Sequence, residues 1–432
     1  MSNESQPNLN RERKDLNLED GIGKNLEAGK VIYIPYMSDH GYALAGAFRH
    51  HGLEVKTLPE PDESCMQYGR QYSEGGECLP FIVTTGQLIK LIEEEGLESD
   101  RPAFFMPTSS GPCRFGQYHT AQKLILEELD ADVELVSLEA YDSYSMKGLG
   151  VSFRRLAWKG IVAVDFLQKA LWHTRPYELE EGQTDEVYRR GLERIERGIG
   201  ARGVGGLMDA LDRIREEFQA IEVEEERDKP VIGILGEIYV RLNRFSNSYV
   251  VKMVEELGGE ARIAPAAEWF YYTNRKERQD GWNERKPAKF IKGWAKDLVQ
   301  KFDERAIRDK FEPLLSEHDL HEPPVDELAA NSDPYISEAY RGEPVLEVGK
   351  AVDYAQKGVS GILLTVPFSC MPGAMIISVS NLVREDYEEI PWLNLTFDAQ
   401  QSTNIRTRLE AFIFQARRYH KNSGTSYNGT RP

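Results

Sequence analysis

Four cysteines occur in the 432 residues: Cys65, Cys78, Cys113 and Cys370. Three of them share one setting. Cys78, Cys113 and Cys370 each stand where a loop gives way to a helical pattern, with Pro80, Pro112 or Pro372 within two residues. Proline suits the first turn of a helix, where its missing N–H costs nothing. The unpaired N–H groups of that turn carry partial positive charge, which favours a thiolate over a thiol. A sulfur held this way suits a metal or nucleophilic attack. Three such sulfurs, gathered at one place, suit an anionic iron–sulfur cluster, because backbone donors stabilise its charge. The spacing is neither the tight run of a ferredoxin nor the paired C-x-x-C of a zinc ribbon. Three ligands would leave one iron open to a hydroxyl or carbonyl oxygen. Cys65 falls within a helical pattern instead of at its start and reads as an inert buried thiol, with a fourth-ligand role as the alternative. A zinc-stabilised binding protein is the rival reading of the same cysteines.

These residues need elements to position them. Residues 31–35 read as a buried strand, 40–51 as a helix capped by Ser38 or Asp39 and stopped by Gly52, and 53–58 as a second strand. That βαβ opening predicts a parallel sheet. A helix over 63–72, the Cys78 turn and a helix over 81–95 follow. A strand at 103–106 leads into the Cys113 turn and a helix over 121–129, and a further strand covers 133–138. Tyr141-Asp142-Ser143-Tyr144 and Gly148-Leu149-Gly150 form a polar loop. Residues 151–225 are mostly helical in pattern, with an apolar stretch at 153–172 and amphipathic ones at 185–196 and 207–221. A second βα series begins at Pro230: a strand at 231–235, a turn through Gly236 to Arg241, a helix over 245–257, and a strand at 261–265. The strand 362–366, the Cys370 turn with a helix to Val383, a strand at 390–395 and a helix over 402–420 close it.

The organisation expected is therefore a mobile N-terminal tail (1–30), an α/β domain with Cys78 and Cys113 (31–150), a helical segment (151–228), a second α/β domain with Cys370 (229–420) and a C-terminal tail (421–432). The fold class is α/β, with two parallel-sheet domains joined by a helical segment and the cleft between them. Ligands of open α/β sheets collect at the carboxyl ends of the strands, which is where Cys113 and Cys370 fall. No short-period repeat is visible, but both halves open with βαβ and carry a cysteine loop after a later strand.

The formal net charge of -18 argues against general nucleic-acid binding and against an anionic membrane surface. No signal sequence is visible, and the apolar stretch 361–379 is broken by Pro367 and Pro372, so a cytoplasmic protein without a membrane span is expected. Residues 275–310 mix Lys and Arg with Trp and Phe, but acidic residues interleave them. A lid or a docking face for a partner fits this stretch better than nucleic acid does.

Several motifs together carry a family resemblance. Met37-Ser38-Asp39-His40, Gly76-Glu77-Cys78-Leu79-Pro80, Gly111-Pro112-Cys113-Arg114-Phe115-Gly116-Gln117-Tyr118, Gly236-Glu237-Ile238-Tyr239-Val240-Arg241 and Cys370-Met371-Pro372-Gly373 resemble the acyl-CoA dehydratase activase-related proteins. These are relatives of the 2-hydroxyacyl-CoA dehydratase and benzoyl-CoA reductase subunits. The resemblance spans residues 31–420 and is most specific around Cys113. It implies a [4Fe-4S] cluster held by three cysteines between Rossmann-like domains, and Cys78, Cys113 and Cys370 match those positions. It also implies electron delivery by an ATP-dependent iron–sulfur activase. No Walker-type phosphate loop occurs in this sequence, so the activase would be a separate chain. A CoA-thioester substrate is implied by the relatives alone. Two roles follow: an oxygen-sensitive dehydratase (lyase) or low-potential reductase, or a non-catalytic module that relays electrons or docks an activase.

Around the cysteines, Arg114 and Gln117 could hydrogen-bond cluster sulfides or a substrate, or serve surface packing. Glu237 and Arg241 close a strand, where they face the cleft or form an inter-domain ion pair. His40 is a candidate proton donor, or else a capping or packing histidine.

Overall fold

The computed structural model describes residues 29–97, 101–109, 113–137, 149–400, 404–423 and 427. Most of both tails, the loop around Tyr141 and Gly148, and the Gly111-Pro112 step of the Cys113 motif lie outside the described residues.

The chain forms two four-stranded sheets, both all-parallel. The first is built from β1 (Val31–Ile34), α1 (His40–His50), β2 (Glu54–Thr57), α2 (Glu63–Gln71), α3 (Leu79–Lys90), β3 (Pro102–Phe105), α4 (Tyr118–Glu128) and β4 (Glu134–Val136). Two long helices follow, α5 (Gly150–Thr174) and α6 (Gln183–Gln219). The second sheet begins with β5 (Val231–Gly236), α7 (Ile238–Leu242), α8 (Val250–Glu256) and β6 (Glu260–Ile263). A helical insertion then runs through α9 (Ala267–Asn283), α10 (Pro287–Phe311), α11 (Glu317–Leu320), α12 (Val325–Ser332) and α13 (Glu343–Gln356). The chain returns with β7 (Gly361–Pro367), α14 (Met371–Asp386), β8 (Trp392–Phe397) and α15 (Ile405–Ser423).

Strand order is the same in both sheets: β2-β1-β3-β4 and β6-β5-β7-β8. The inner strands β1, β3, β5 and β7 are buried at every residue. That is why their sequences are continuous apolar runs without alternation. In each sheet the first strand lies between the second and the third. The chain therefore runs outward from it in opposite directions, which makes a topological switch point in each sheet. One apolar core runs through both halves, from Ile32 and Phe104 through Leu167 and Ile195 to Ile234 and Leu363. Helices α5 and α6 pack on α1, and α10 packs on α5 and α9. Among the described residues, no helix is long and apolar enough to cross a membrane.

Three local expectations are corrected. Neither Ser38 nor Asp39 caps α1 through its side chain. Asp39 is buried instead, accepting hydrogen bonds from Tyr36 (2.7 Å) and Tyr188 (2.5 Å). The helix expected over 245–257 is shortened to α8, because Ser248 and Tyr249 take left-handed φ of 56°. Asn243 and Asn247 hold that turn by accepting from the N–H groups of Ser246 (2.9 Å) and Val250 (3.2 Å), a local bonding that competes with helix. The two amphipathic stretches over 185–221 merge into α6, which breaks at Gly203 (φ 57°).

Candidate functional site

Each of the three cysteines occupies the same structural place. Cys78 is the N-cap of α3, Cys370 the N-cap of α14, and Cys113 the N-cap of a short 3₁₀ turn over Arg114–Gln117 that leads into α4. All three have extended backbone, the conformation that aims an N-cap side chain back at the N–H groups of its own first turn. The sulfurs use it. Cys370 Sγ accepts from Gly373 N at 3.5 Å, and the N–H groups of Phe81 and Phe115 face the sulfurs of Cys78 and Cys113.

The turns come from distant parts of the chain, and one side chain joins them. Arg114 donates to the backbone carbonyl of Gly76, two residues before Cys78, and to that of Ser369 at 3.2 Å, one residue before Cys370. A planar guanidinium with several fixed donors can hold two carbonyls at once. Arg114 is thus occupied by main chain. The thiols also feel one another electrostatically: Cys370 raises the pKa of Cys113, and Cys78 raises that of Cys370. Cys78 Sγ is hydrogen-bonded to the hydroxyl of buried Tyr118, whose ring meets Phe81 and Phe115 edge-on at 5.3 Å each. Cys65 sits apart from this pattern, in the first turn of α2, where its N–H bonds Asp62 at 3.1 Å. Burial pushes its thiol up to about 11.

Two carboxylates complete the setting. Gly236 turns the end of β5 at φ 127°, a conformation favouring glycine, and a Cβ there would meet the Thr365 carbonyl at 1.8 Å. The next residue, Glu237, caps α7 by accepting from the N–H groups of Tyr239 (3.1 Å) and Val240 (2.9 Å). Glu343, in the first turn of α13, accepts from Ile238 N at 3.2 Å. Burial, then Glu237 and Glu347, push the Glu343 carboxyl up to about 8. Burial, then Glu343, holds the Cys113 thiol far above its ordinary range. Burial, opposed by the Gly373 N–H but reinforced by Glu237 and Glu343, pushes Cys370 up to about 12. In the metal-free chain these are neutral thiols at pH 7, so taking up a cation must release protons.

Cys113, Glu237 and Glu343 line a cavity of about 260 Å³ whose wall comes from both halves; Cys78 and Cys370 are not in that wall. Each cysteine turn contributes to its wall, through Pro80, Cys113 and Pro372, and so do Glu237, Glu343 and the loop after β1. The rest of the wall is largely apolar, with Ile34, Phe105, Leu242 and Phe270 among it. A second cavity of about 550 Å³ adjoins it, sharing Leu44, Phe105, Pro107, Ile161 and Phe270. Among the described residues, no three His, Cys, Asp or Glu side chains converge closely enough to hold a single metal ion.

The other sequence candidates fall as follows. Gln117 is exposed and is not part of the cavity wall. Among the described residues, Arg241 makes no inter-domain pair. It is buried against Glu347 of α13, in its own half, and donates to the Gly236 carbonyl at 2.9 Å. Ties between halves are made by other residues, among them Asn243, bonding the carbonyls of Tyr36 (3.2 Å) and Met37 (3.3 Å), and Arg244 on Tyr36 (3.0 Å) and Glu60 (3.1 Å). His40 lines the cavity, with Asp165 of α5 at 3.0 Å. Sequence reasoning missed Asp165 and Glu343. Asp165 carried a usable signal, a lone acid in the apolar run Ala163-Val164-Asp165-Phe166-Leu167, since a buried carboxylate demands partners.

The fold and the site define an α/β protein with two parallel sheets, in which three N-cap cysteine turns and two half-buried carboxyls ring one mostly apolar cavity. No protein-family model matches the chain, and no curated protein matches it.

Proposed function

We propose that the chain is an iron–sulfur protein of the 2-hydroxyacyl-CoA dehydratase type, with a [4Fe-4S] cluster held by Cys78, Cys113 and Cys370 in a cleft between two Rossmann-like halves. The observation that carries this reading is Arg114, which binds the backbone beside Cys78 and beside Cys370 while standing next to Cys113 itself. The N-cap position of all three sulfurs supports it, because the N–H groups they face favour bound anionic sulfur. In a cluster each thiolate takes a different iron, so the sulfurs stand around a cage and need not meet at one ion. Such a group, when bound, supplies low-potential electrons and an open iron site.

The chain's own residues do the rest. The apolar wall excludes water and selects a mostly apolar substrate group, for which an acyl thioester is the reading the sequence resemblance supports. Glu343, protonated at neutral pH, offers a hydrogen-bond donor in that wall. Electrons would come from a separate ATP-dependent iron–sulfur activase. The second reading, an electron-relay or activase-docking module, is favoured by one observation: α10 exposes Ile291, Trp294, Leu298 and Phe302 along one stripe.

Anaerobic purification with iron and sulfide assay tests the proposal. Cys78→Ala, Cys113→Ala and Cys370→Ala each lose iron and the brown colour, while Cys65→Ala keeps both. Full iron retention by the Cys113 variant overturns it.

A further inference from the structure

A chain of hydrogen bonds runs from the cavity wall into the protein through three residues that the iron–sulfur reading does not use. Ser38 Oγ lies 3.0 Å from His40 Nδ1, and His40 Nε2 lies 3.0 Å from Asp165 Oδ1. Asp165 is fixed in turn by the start of α9. Its Oδ1 accepts from Ala266 N and its Oδ2 from Ala267 N, both at 2.9 Å. Asp165 and His40 are buried, whereas Ser38 is half-buried, and both Ser38 and His40 line the cavity.

The donors and acceptors fix the proton positions. An ionised Asp165 has no hydrogen to give, so opposite it a neutral His40 carries its hydrogen on Nε2. In the neutral imidazole Nδ1 is then a lone pair, and Ser38 donates its hydroxyl hydrogen to it. The imidazole is thus a base whose only route to the cavity through this chain is a serine hydroxyl, and whose charged form has a carboxylate behind it.

The geometry points to Ser38–His40–Asp165 as a proton relay that ionises a hydroxyl-bearing apolar ligand in this cavity. The ligand O–H gives its proton to Ser38 Oγ while the Ser38 proton moves to His40 Nδ1. The result is a ligand oxyanion, a neutral serine and an imidazolium held against Asp165. The reverse transfer protonates the ligand, and no electrons or further reactants are involved. Ser38 and His40 face the ligand, and Asp165 positions the imidazole. The adjoining cavity shares Leu44 and Phe270 with this wall. The relay is independent of the iron–sulfur reading: loss of iron in the cysteine variants leaves it standing, and failure of the test below leaves that reading standing.

The test uses 4-nitrophenol, whose ionised form absorbs visible light, with the full chain isolated without oxygen at one fixed pH. Difference absorbance gives the ionised fraction of bound ligand, and far-UV circular dichroism confirms that each variant is folded. The wild type binds 4-nitrophenol and ionises it at least about threefold more than His40→Gln does, a difference of about half a pKa unit in the bound ligand. Ser38→Ala loses the same enhancement, and Asp165→Asn loses part of it at unchanged affinity. Equal ionised fractions in wild type and His40→Gln, or no binding to the wild type, overturn the proposal.

Discussion

A carboxyl and a thiol cannot both be charged in one apolar wall without strong mutual repulsion, and at pH 7 Glu343 and Cys113 both stay neutral. The Glu343 carboxyl is raised from its ordinary 4.5 to about 8, first by burial and then by Glu237 and Glu347. Between those two values the folded chain holds a proton that the unfolded chain has released. Its stability therefore falls as pH rises from 4.5 to about 8. Replacing Glu343 with Gln removes this slope, and urea unfolding of the metal-free protein gives a flatter profile between those pH values. The same variant takes away the negative charge that Glu343 acquires as pH approaches and passes about 8. Alkylation of Cys113 by iodoacetamide at pH 8 then runs at least about threefold faster than in the wild type, as half a pKa unit requires. An unchanged rate means that Glu343 does not reach the sulfur. At this scale the sequence was half legible. Cys78, Cys113 and Cys370 could be singled out because the same loop-to-helix setting recurs at each. Glu343 could not, since it opens a helix directly after residues 338–342 with no motif around it, and only the tertiary fold brings it to the cavity.

The elements at the site are short, and their ends matter more than their middles. The three cysteine turns are the starts of α3, α14 and a 3₁₀ turn, and the Arg114 guanidinium spans them. Arg114→Ala removes this tie. The expected outcome is a lower iron-to-chain ratio and faster loss of iron to a chelator, with unfolding free energy down by only about 1 kcal/mol, since the side chain is exposed. Iron retention equal to that of the wild type would show that the turns are held without it. The strands were readable because buried parallel strands are written as unbroken apolar runs, such as Val231-Ile232-Gly233-Ile234-Leu235 and Ile362-Leu363-Leu364-Thr365-Val366. The shortened α8 was not, because residues 245–257 have helical periodicity and the side chains of Asn243 and Asn247 override it at one end. The capping role assigned to Ser38 or Asp39 failed for a related reason. Tyr36, three residues back, and Tyr188, from distant α6, claim the Asp39 carboxylate, and Ser38 turns to His40.

Across the whole molecule, α10 stands out for what it leaves uncovered. Ile291, Trp294, Leu298 and Phe302 are between 56% and 72% exposed, on one stripe of a helix whose other side packs on α5 and α9. Side chains already in water contribute little to folding. The double substitution Trp294→Gln and Phe302→Gln is therefore expected to change unfolding free energy by no more than about 0.5 kcal/mol in dilute solution. A loss above about 2 kcal/mol would mean that another surface covers the stripe in solution. The mixed aromatic and charged composition of residues 275–310 was visible in the sequence, but which residues face outward depends on how α10 seats against α5, and that is a property of the assembled core.

The third strand of the second sheet has one more implication. β7 slots between β5 and β8, and it delivers the last of the three thiols. During synthesis the first sheet, with Cys78 and Cys113 beside it, leaves the ribosome long before Cys370 does. For that whole interval the cavity beside them lacks the part of its wall that Pro372 supplies. Whatever the finished pocket is meant to hold, it can be loaded only after translation has passed this strand, so maturation of the protein is necessarily a late event in its biogenesis.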